Sequence, residues 1–313
     1  MDILIYSPEE QCQRWVAGFA AALPEARVRA WTPGERGHAD YLILWRPTAD
    51  VLRHRQGLKA VFNLGAGVDA VLALLAQEPG LLPPEVPLVR LDDAGMGAQM
   101  VEYVTHATLR YFRRFDAYDR QQAQGVWQPL VPYPREQFAI GLLGLGTLGA
   151  QVATALARFG FPVRGWSRTA KTLPGVTCFA GAAGLGDFLA GTRVLVNLLP
   201  LTADTAGLLD RRVFDRLARG AYLINVARGE HLAEDDLLAA LRSGQLAGAT
   251  LDVCRTEPLP AGHPFWHTPG LTLTPHISAL TLHEETIEQI SRNIRAMERG
   301  EPLAGVVDRQ RGY

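Results

Sequence analysis

The chain has 313 residues, enough for two domains of ordinary size, each with its own buried core. Hydrophobic residues make up 48% and charged residues 20%, and 31 Lys and Arg nearly balance 32 Asp and Glu. That balance gives no electrostatic footprint for a nucleic-acid backbone, and no apolar run reaches membrane-spanning length, so a soluble cytoplasmic protein is expected.

The opening "MDILIYSPEE" reads as a first strand, because it lacks the basic and apolar regions of a signal peptide. "ARVRAW", "DYLILW", "KAVFNL" and "PLVRL" follow as further strands, with helical patterns in "EQCQRWVAGFAAAL" and "VDAVLALLAQ". Alternation of this kind predicts parallel α/β architecture. A strandless amphipathic stretch of 98–127 comes next, too long for a single crossover helix, and "LVPYPREQ" reads as a Pro-rich hinge. The second series has strands "FAIGLLG", "PVRGWS", "VTCFA", "RVLVNLL", "AYLINVA", "GATLDV" and "LTLTP". "AGAAGLGDFLAG" reads as a loop opening a helix, and "LHEETIEQISRNIRAMERG" as a last helix able to return to the first domain.

Cys12, Cys178 and Cys254 are spaced for neither a disulfide framework nor zinc, and Cys178 reads as a small buried hydrophobe. His263 and His267 are four apart, but Pro264 and Pro269 oppose a ligand-bearing helix, so no metal site is expected. His231, His283 and the run at Arg113 read as surface or interface residues.

Gly144, Gly146 and Gly149 stand in G-x-G-x-x-G spacing between the apolar "FAIGLL" and the helical "QVATALARFG". That context predicts a dinucleotide-binding βαβ unit. Gly144 permits the tight turn, Gly146 lets a pyrophosphate approach the backbone, and Gly149 lets the helix pack on the strand. The second strand then ends in "VRGWSRTAK", where an NAD-binding unit carries an acid. Ser167, Arg168 and Lys171 stand there instead, a donor and two cations suited to a 2′-phosphate. NADPH is therefore expected, with NADH as the secondary cofactor.

Three stretches further on, "LINVARGEHL", "DVCRTEPLP" and "LTLTPHISAL", each follow or end a strand and can bring Arg228, Glu257 and His276 to the carboxyl edge of one sheet. With the glycine loop, the chain resembles the D-isomer-specific 2-hydroxyacid dehydrogenases. "VFNLGAGVD", "GMGAQMVEY", "FRRFDAY", "WSRTAK" and the terminal "VDRQRGY" bring it nearest their glyoxylate/hydroxypyruvate reductase A branch. The similarity covers essentially the whole chain.

The resemblance implies two doubly wound parallel-sheet domains, a Rossmann cofactor domain and a flavodoxin-like substrate domain, with a cleft between them. The substrate domain would take 1–98 and 284–313, and the NADP-binding domain 99–283, with a dimerisation helix at about 100–124 and hence a homodimer. The implied reaction is reduction of a small 2-oxo acid, glyoxylate or hydroxypyruvate, to the 2-hydroxy acid. His276 would donate the proton, Glu257 would orient the imidazole and raise its pKa, and Arg228 would hold the substrate's carboxylate and carbonyl oxygen. Ala66, Gly67 and Val68 would offer N–H groups to the carboxylate, with Asp69 capping the helix that follows. Trp45 reads either as a wall of the pocket or as an edge-of-core residue, and Met96 has the same two readings. The implied cofactor contacts add Leu145, Thr147, Leu148, Leu199, Pro200, Val226, Ala227 and Asp252. Two alternatives stay open: a dehydrogenase for another 2-hydroxy acid, and a non-catalytic dinucleotide-sensing protein of the same fold.

Overall fold

The computed structural model describes residues 1–8 and 12–313. The chain divides into two compact units, Met1–Gly95 with Thr281–Tyr313, and Met96–Leu280.

The first unit is built on strands β1 (Asp2–Tyr6), β2 (Arg27–Ala30), β3 (Tyr41–Leu44), β4 (Ala60–Asn63) and β5 (Leu88–Val89). They pair in parallel in the order β2-β1-β3-β4-β5, the flavodoxin-like arrangement. Every residue of β3 and β4 is buried, which is why "YLIL" and "AVFN" read as apolar runs rather than as alternation. The expected first helix spans Cys12–Ala22; the Glu10 and Gln11 placed at its start lie outside the described residues. It packs against the last helix, His283–Glu298, whose Ile287, Ile290 and Ile294 recur at helical spacing on the buried face.

The second unit holds seven parallel strands, β6 (Ile140–Leu143), β7 (Val163–Ser167), β8 (Val176–Ala180), β9 (Val194–Asn197), β10 (Ala221–Asn225), β11 (Leu246–Leu251) and β12 (Leu271–Leu273). Their order, β8-β7-β6-β9-β10-β11-β12, is the doubly wound Rossmann order extended by one strand. Met100, Val104, Tyr111, Val152 and Leu156 cover one face of the sheet, and Phe188, Phe214, Leu237 and Phe265 belong to the core on the other. The expected fold class, two doubly wound parallel sheets, is the one observed.

Local expectations differ at several points. The long amphipathic stretch is two helices, Met96–Phe112 and Phe115–Ala123, because Arg114 adopts a left-handed backbone with φ 60° that no continuous helix accommodates. The second of them buries none of its residues. The glycine-rich "AGAAGLGDFLAG" is helical from its first glycine, over Gly181–Leu189. Cys178 is half-buried against the core rather than enclosed by it, and all three cysteines are free. His283 is half-buried, its ring 4.6 Å from that of Trp15. Among the described residues no helix is long and apolar enough to cross a membrane.

Candidate active site

Parallel strands present all their carboxyl ends at one edge, where open α/β sheets take ligands. In the second unit, adjacent strands β10, β11 and β12 end at Asn225, Leu251 and Leu273, and Arg228, Glu257 and His276 follow within a few residues.

His276 Nδ1 lies 2.8 Å from Glu257 Oε2, with the side chains 35% and 30% exposed, so the pair is held together yet open to a small molecule. The other carboxylate oxygen of Glu257 accepts from the Cys254 N–H at 3.1 Å, fixing the carboxylate from behind. His276 itself has φ 57°, a left-handed conformation costing about 1–2 kcal/mol. Asp252 offsets that cost. Its backbone oxygen accepts from the His276 N–H at 2.8 Å, Oδ1 accepts from Thr274 Oγ1 at 2.7 Å and from the Ile277 N–H at 2.8 Å, and Oδ2 accepts from the Ser278 N–H at 2.8 Å. Asp252 is 1% exposed, and its carboxylate acts as the clamp on the His276 loop.

Arg228 is half-buried, and its Nη1 donates to the Ala227 carbonyl at 2.7 Å. Its loop is set by two fully buried asparagines at the ends of β9 and β10. Asn197 Nδ2 donates to Asn225 Oδ1 at 3.0 Å, and Asn225 Nδ2 donates to the Arg228 carbonyl at 3.0 Å. The Leu199 and Ala227 N–H groups each donate to one of these side chains at 3.3 Å. One buried amide pair thus shapes both turns, 198–200 and 226–228. Leu199, Val226 and Ala227 are buried and Pro200 is half-buried. Beside Arg228, a β-carbon on Gly229 would lie 2.0 Å from the Cys254 carbonyl carbon and 2.2 Å from the Arg255 nitrogen. The glycine is what lets the Arg228 loop press against the backbone leading to Glu257.

The glycine turn after β6 divides by cause. Gly144 has φ 100°, and a β-carbon there would sit 2.8 Å from the Leu198 oxygen. One on Gly149 would sit 2.0 Å from the Gly144 oxygen. Gly146 is different: its φ of −71° suits any residue, and a β-carbon would meet nothing within 4 Å. The protein's own packing has no use for the bare backbone at Gly146; an external group approaching the start of the helix Thr147–Arg158 does. The turn therefore fits a dinucleotide pyrophosphate. Leu145 is buried against Gly165, while Thr147 and Leu148 are half-buried in the first helical turn.

At the end of β7, Arg168 and Lys171 are exposed. Ser167 is 8% exposed, and its hydroxyl donates to the Thr169 carbonyl at 2.8 Å, closing the turn.

In the first unit, buried Asn63 ends β4 and donates to the Gly65 and Gly67 carbonyls, both at 2.9 Å, shaping the loop of Ala66, Gly67 and Val68. The helix after it begins at Asp69, and Val68, not Asp69, occupies the cap position. The half-buried Trp45 ring lies against Gly65, where a β-carbon would come within 2.4 Å of it. Met96, 4% exposed, belongs to the core.

Sequence reasoning missed Asn63, Asn197 and Asn225, although each closes an otherwise apolar strand, a readable signal. It also misplaced His231, which is fully buried.

A doubly wound sheet with a glycine turn after its first strand and an Arg, Glu and His at neighbouring strand ends defines a dinucleotide-dependent dehydrogenase architecture. Residues 105–278 match the family described as D-isomer specific 2-hydroxyacid dehydrogenase, NAD binding domain. The chain is 54% identical over 313 residues, all of both chains, to glyoxylate/hydroxypyruvate reductase A of Serratia proteamaculans (strain 568). Among solved structures it matches a D-isomer specific 2-hydroxyacid dehydrogenase from Xanthobacter autotrophicus Py2 in complex with NADPH and MES. That match has a TM-score of 0.92 and 41% identity, covering 100% of this chain and 99% of that one. An NADPH-dependent glyoxylate/hydroxypyruvate reductase from Sinorhizobium meliloti, in complex with NADP and sulfate, gives 0.91 and 35% with the same coverage. The chain belongs to the D-isomer-specific 2-hydroxyacid dehydrogenase family.

Replacing Gly229 by Ala is expected to destabilise the second unit by about 2 kcal/mol or more, since the clash is with backbone. It should also lower turnover by displacing Arg228. A thermal melt and kcat/KM check both, and wild-type values for the two would contradict the packing described.

Proposed function

We propose that the protein is an NADPH-dependent reductase of small 2-oxo acids, converting glyoxylate to glycolate and hydroxypyruvate to D-glycerate. The observation that carries this is the His276–Glu257 pair, which with Arg228 follows neighbouring strands at the carboxyl edge of a sheet whose first turn fits a dinucleotide.

Bound NADPH supplies a hydride to the carbonyl carbon; the oxygen then needs a proton and stabilisation of its growing charge. His276 Nε2 supplies the proton, with Glu257 holding Nδ1 and fixing the ring's orientation. The Arg228 guanidinium binds the carboxylate and carbonyl oxygen, orients the substrate and stabilises charge on the oxygen. Ala66, Gly67 and Val68, with Trp45, are the substrate-binding elements of the first unit. The N–H groups of the loop suit a carboxylate.

For the cofactor, the backbone from Gly144 to Gly149 takes the pyrophosphate and Arg168 the 2′-phosphate, with Lys171 adding charge. Ser167 contributes by holding the turn. Leu199, Pro200, Val226 and Ala227 line the remaining cofactor site, and Asp252 supports it through the His276 loop. The relatives support this reading: one is named a glyoxylate/hydroxypyruvate reductase A, and two solved structures hold NADPH or NADP.

The unit Met1–Gly95 with Thr281–Tyr313 is proposed as the substrate domain and Met96–Leu280 as the NADP domain. A homodimer is proposed through the helices of 96–123 and the arm that follows. That arm exposes Trp127 (99%) and Val131 (80%), which a partner surface would cover. A cytoplasmic location goes with three free cysteines.

Glyoxylate added to protein and NADPH should deplete the absorbance of the reduced cofactor; no depletion with glyoxylate, hydroxypyruvate or longer 2-oxo acids would favour a dinucleotide-sensing protein. His276→Ala should lower kcat by about 10²- to 10⁴-fold while leaving the NADPH dissociation constant near wild type. Loss of cofactor binding instead would remove His276 from the donor role. Arg168→Asp should shift the ratio of kcat/KM for NADPH over NADH downward at least tenfold, and an unchanged ratio would overturn the 2′-phosphate assignment.

A further inference from the structure

His231 is buried beside the proposed active site and has no part in the chemistry derived so far. It closes the short helical turn Gly229–His231 directly after Arg228. Its two ring nitrogens face two backbone carbonyls from different loops. Nδ1 lies 3.2 Å from the Arg228 oxygen, and Nε2 lies 3.3 Å from the Pro200 oxygen. Each of those carbonyls has a further donor: Asn225 Nδ2 at 3.0 Å on Arg228, and Thr205 Oγ1 at 2.7 Å on Pro200.

A plain core position does not ask for this. A buried leucine would fill the space without burying two ring nitrogens against carbonyl oxygens. Burial pushes the His231 pKa down, and the positive charge of Arg228 pushes in the same direction, while the two carbonyls and Glu230 oppose. The ring is therefore neutral near pH 7. A neutral imidazole has one N–H, so it donates to one of the two carbonyls at a time and presents a lone pair to the other. With the proton on Nε2 it donates to the Pro200 carbonyl, and because the ring belongs to the turn that follows Arg228, that one bond joins the two loops.

We propose that His231 is a positioning residue that ties the loop presenting Arg228 to the Leu199–Pro200 loop, so that the substrate-binding guanidinium is set in register with the cofactor-binding turn. The inference rests on the reductase reading given above, and adds to it a residue that touches neither substrate nor cofactor. Removing the tie loosens Arg228 while leaving the guanidinium in place. The loss is then felt where Arg228 acts, on the oxo acid, and much less on NADPH, which is held mainly at the Gly144–Gly149 turn and at Arg168.

The test compares His231→Leu, which keeps the bulk and removes the tie, with His231→Gln, which keeps one donor. Wild-type turnover of glyoxylate by NADPH is measured first; if that is absent, the reductase reading fails and His231 is not the cause. Given wild-type activity, His231→Leu should lower kcat/KM for glyoxylate at least tenfold with an NADPH dissociation constant within about threefold of wild type, and His231→Gln should recover much of the loss. In an Arg228→Ala background, His231→Leu should weaken oxalate binding to the protein–NADP complex no further, because its effect runs through Arg228. Unchanged kcat/KM in a folded His231→Leu variant overturns the proposal, as does a full additive effect without Arg228. If His231→Leu does not fold, His231→Met, which also keeps bulk and has no N–H to donate, decides: a fall in kcat/KM of tenfold or more at unchanged NADPH affinity sustains the tie, and wild-type kinetics rejects it.

Discussion

The carboxylate of Asp252 holds more of the proposed site together than any residue that would touch the substrate. It is almost fully buried at the end of β11, where an unpaired charge would be expensive, and three donors from the 274–278 segment satisfy its oxygens. Those bonds wrap the chain after β12 around the end of β11. The wrap forces His276 into a left-handed conformation and sets its ring against Glu257. Tyr103, on the helix Met96–Phe112, hydrogen-bonds the hydroxyl of Thr274 and so carries the clamp on to the helix layer. An acid and its orienting carboxylate can sit on loops and still be rigid, because a buried charge has recruited the loop backbone.

Three asparagines perform a related task with neutral groups. Asn63, Asn197 and Asn225 each end an apolar strand and turn a side-chain amide toward the loop beyond. A strand buried on both faces cannot itself direct the chain after it, since its side chains are committed to the two helix layers. A buried amide at the last position can, because it must find partners and the nearest ones are the loop's own backbone groups. Asn197 and Asn225 pair with each other, so the turn assigned to cofactor and the turn bearing Arg228 are shaped by one interaction. His231 adds a second connection between the same two loops.

Much of this was legible in the sequence, for identifiable reasons. Doubly buried strands leave uninterrupted Val, Ile and Leu runs, so β3, β6, β9 and β10 stand out, and their alternation with helices gives the fold class. The glycines at 144, 146 and 149 announce a dinucleotide turn because their spacing falls between an apolar strand and a helical pattern. The placement of Arg228, Glu257 and His276 after successive strands follows once those strands are found. What stayed hidden depends on direction rather than on position. Nothing in "LDVC" says that Asp252 points inward, and nothing in "ARGEH" says that His231 does, since both answers come from which backbone groups need a partner. The break at Arg114 was equally silent, because no glycine or proline marks it and only the left-handed backbone ends the helix.

Direct hydride transfer from NADPH to a 2-oxo acid is the proposed reaction. Its most direct test uses NADPH carrying deuterium at the transferring C4 position, glyoxylate in ordinary water, and mass analysis of the product. Direct transfer yields glycolate with one deuterium on the former carbonyl carbon for each NADPH consumed. Glycolate without label, or no glycolate at all, would contradict it.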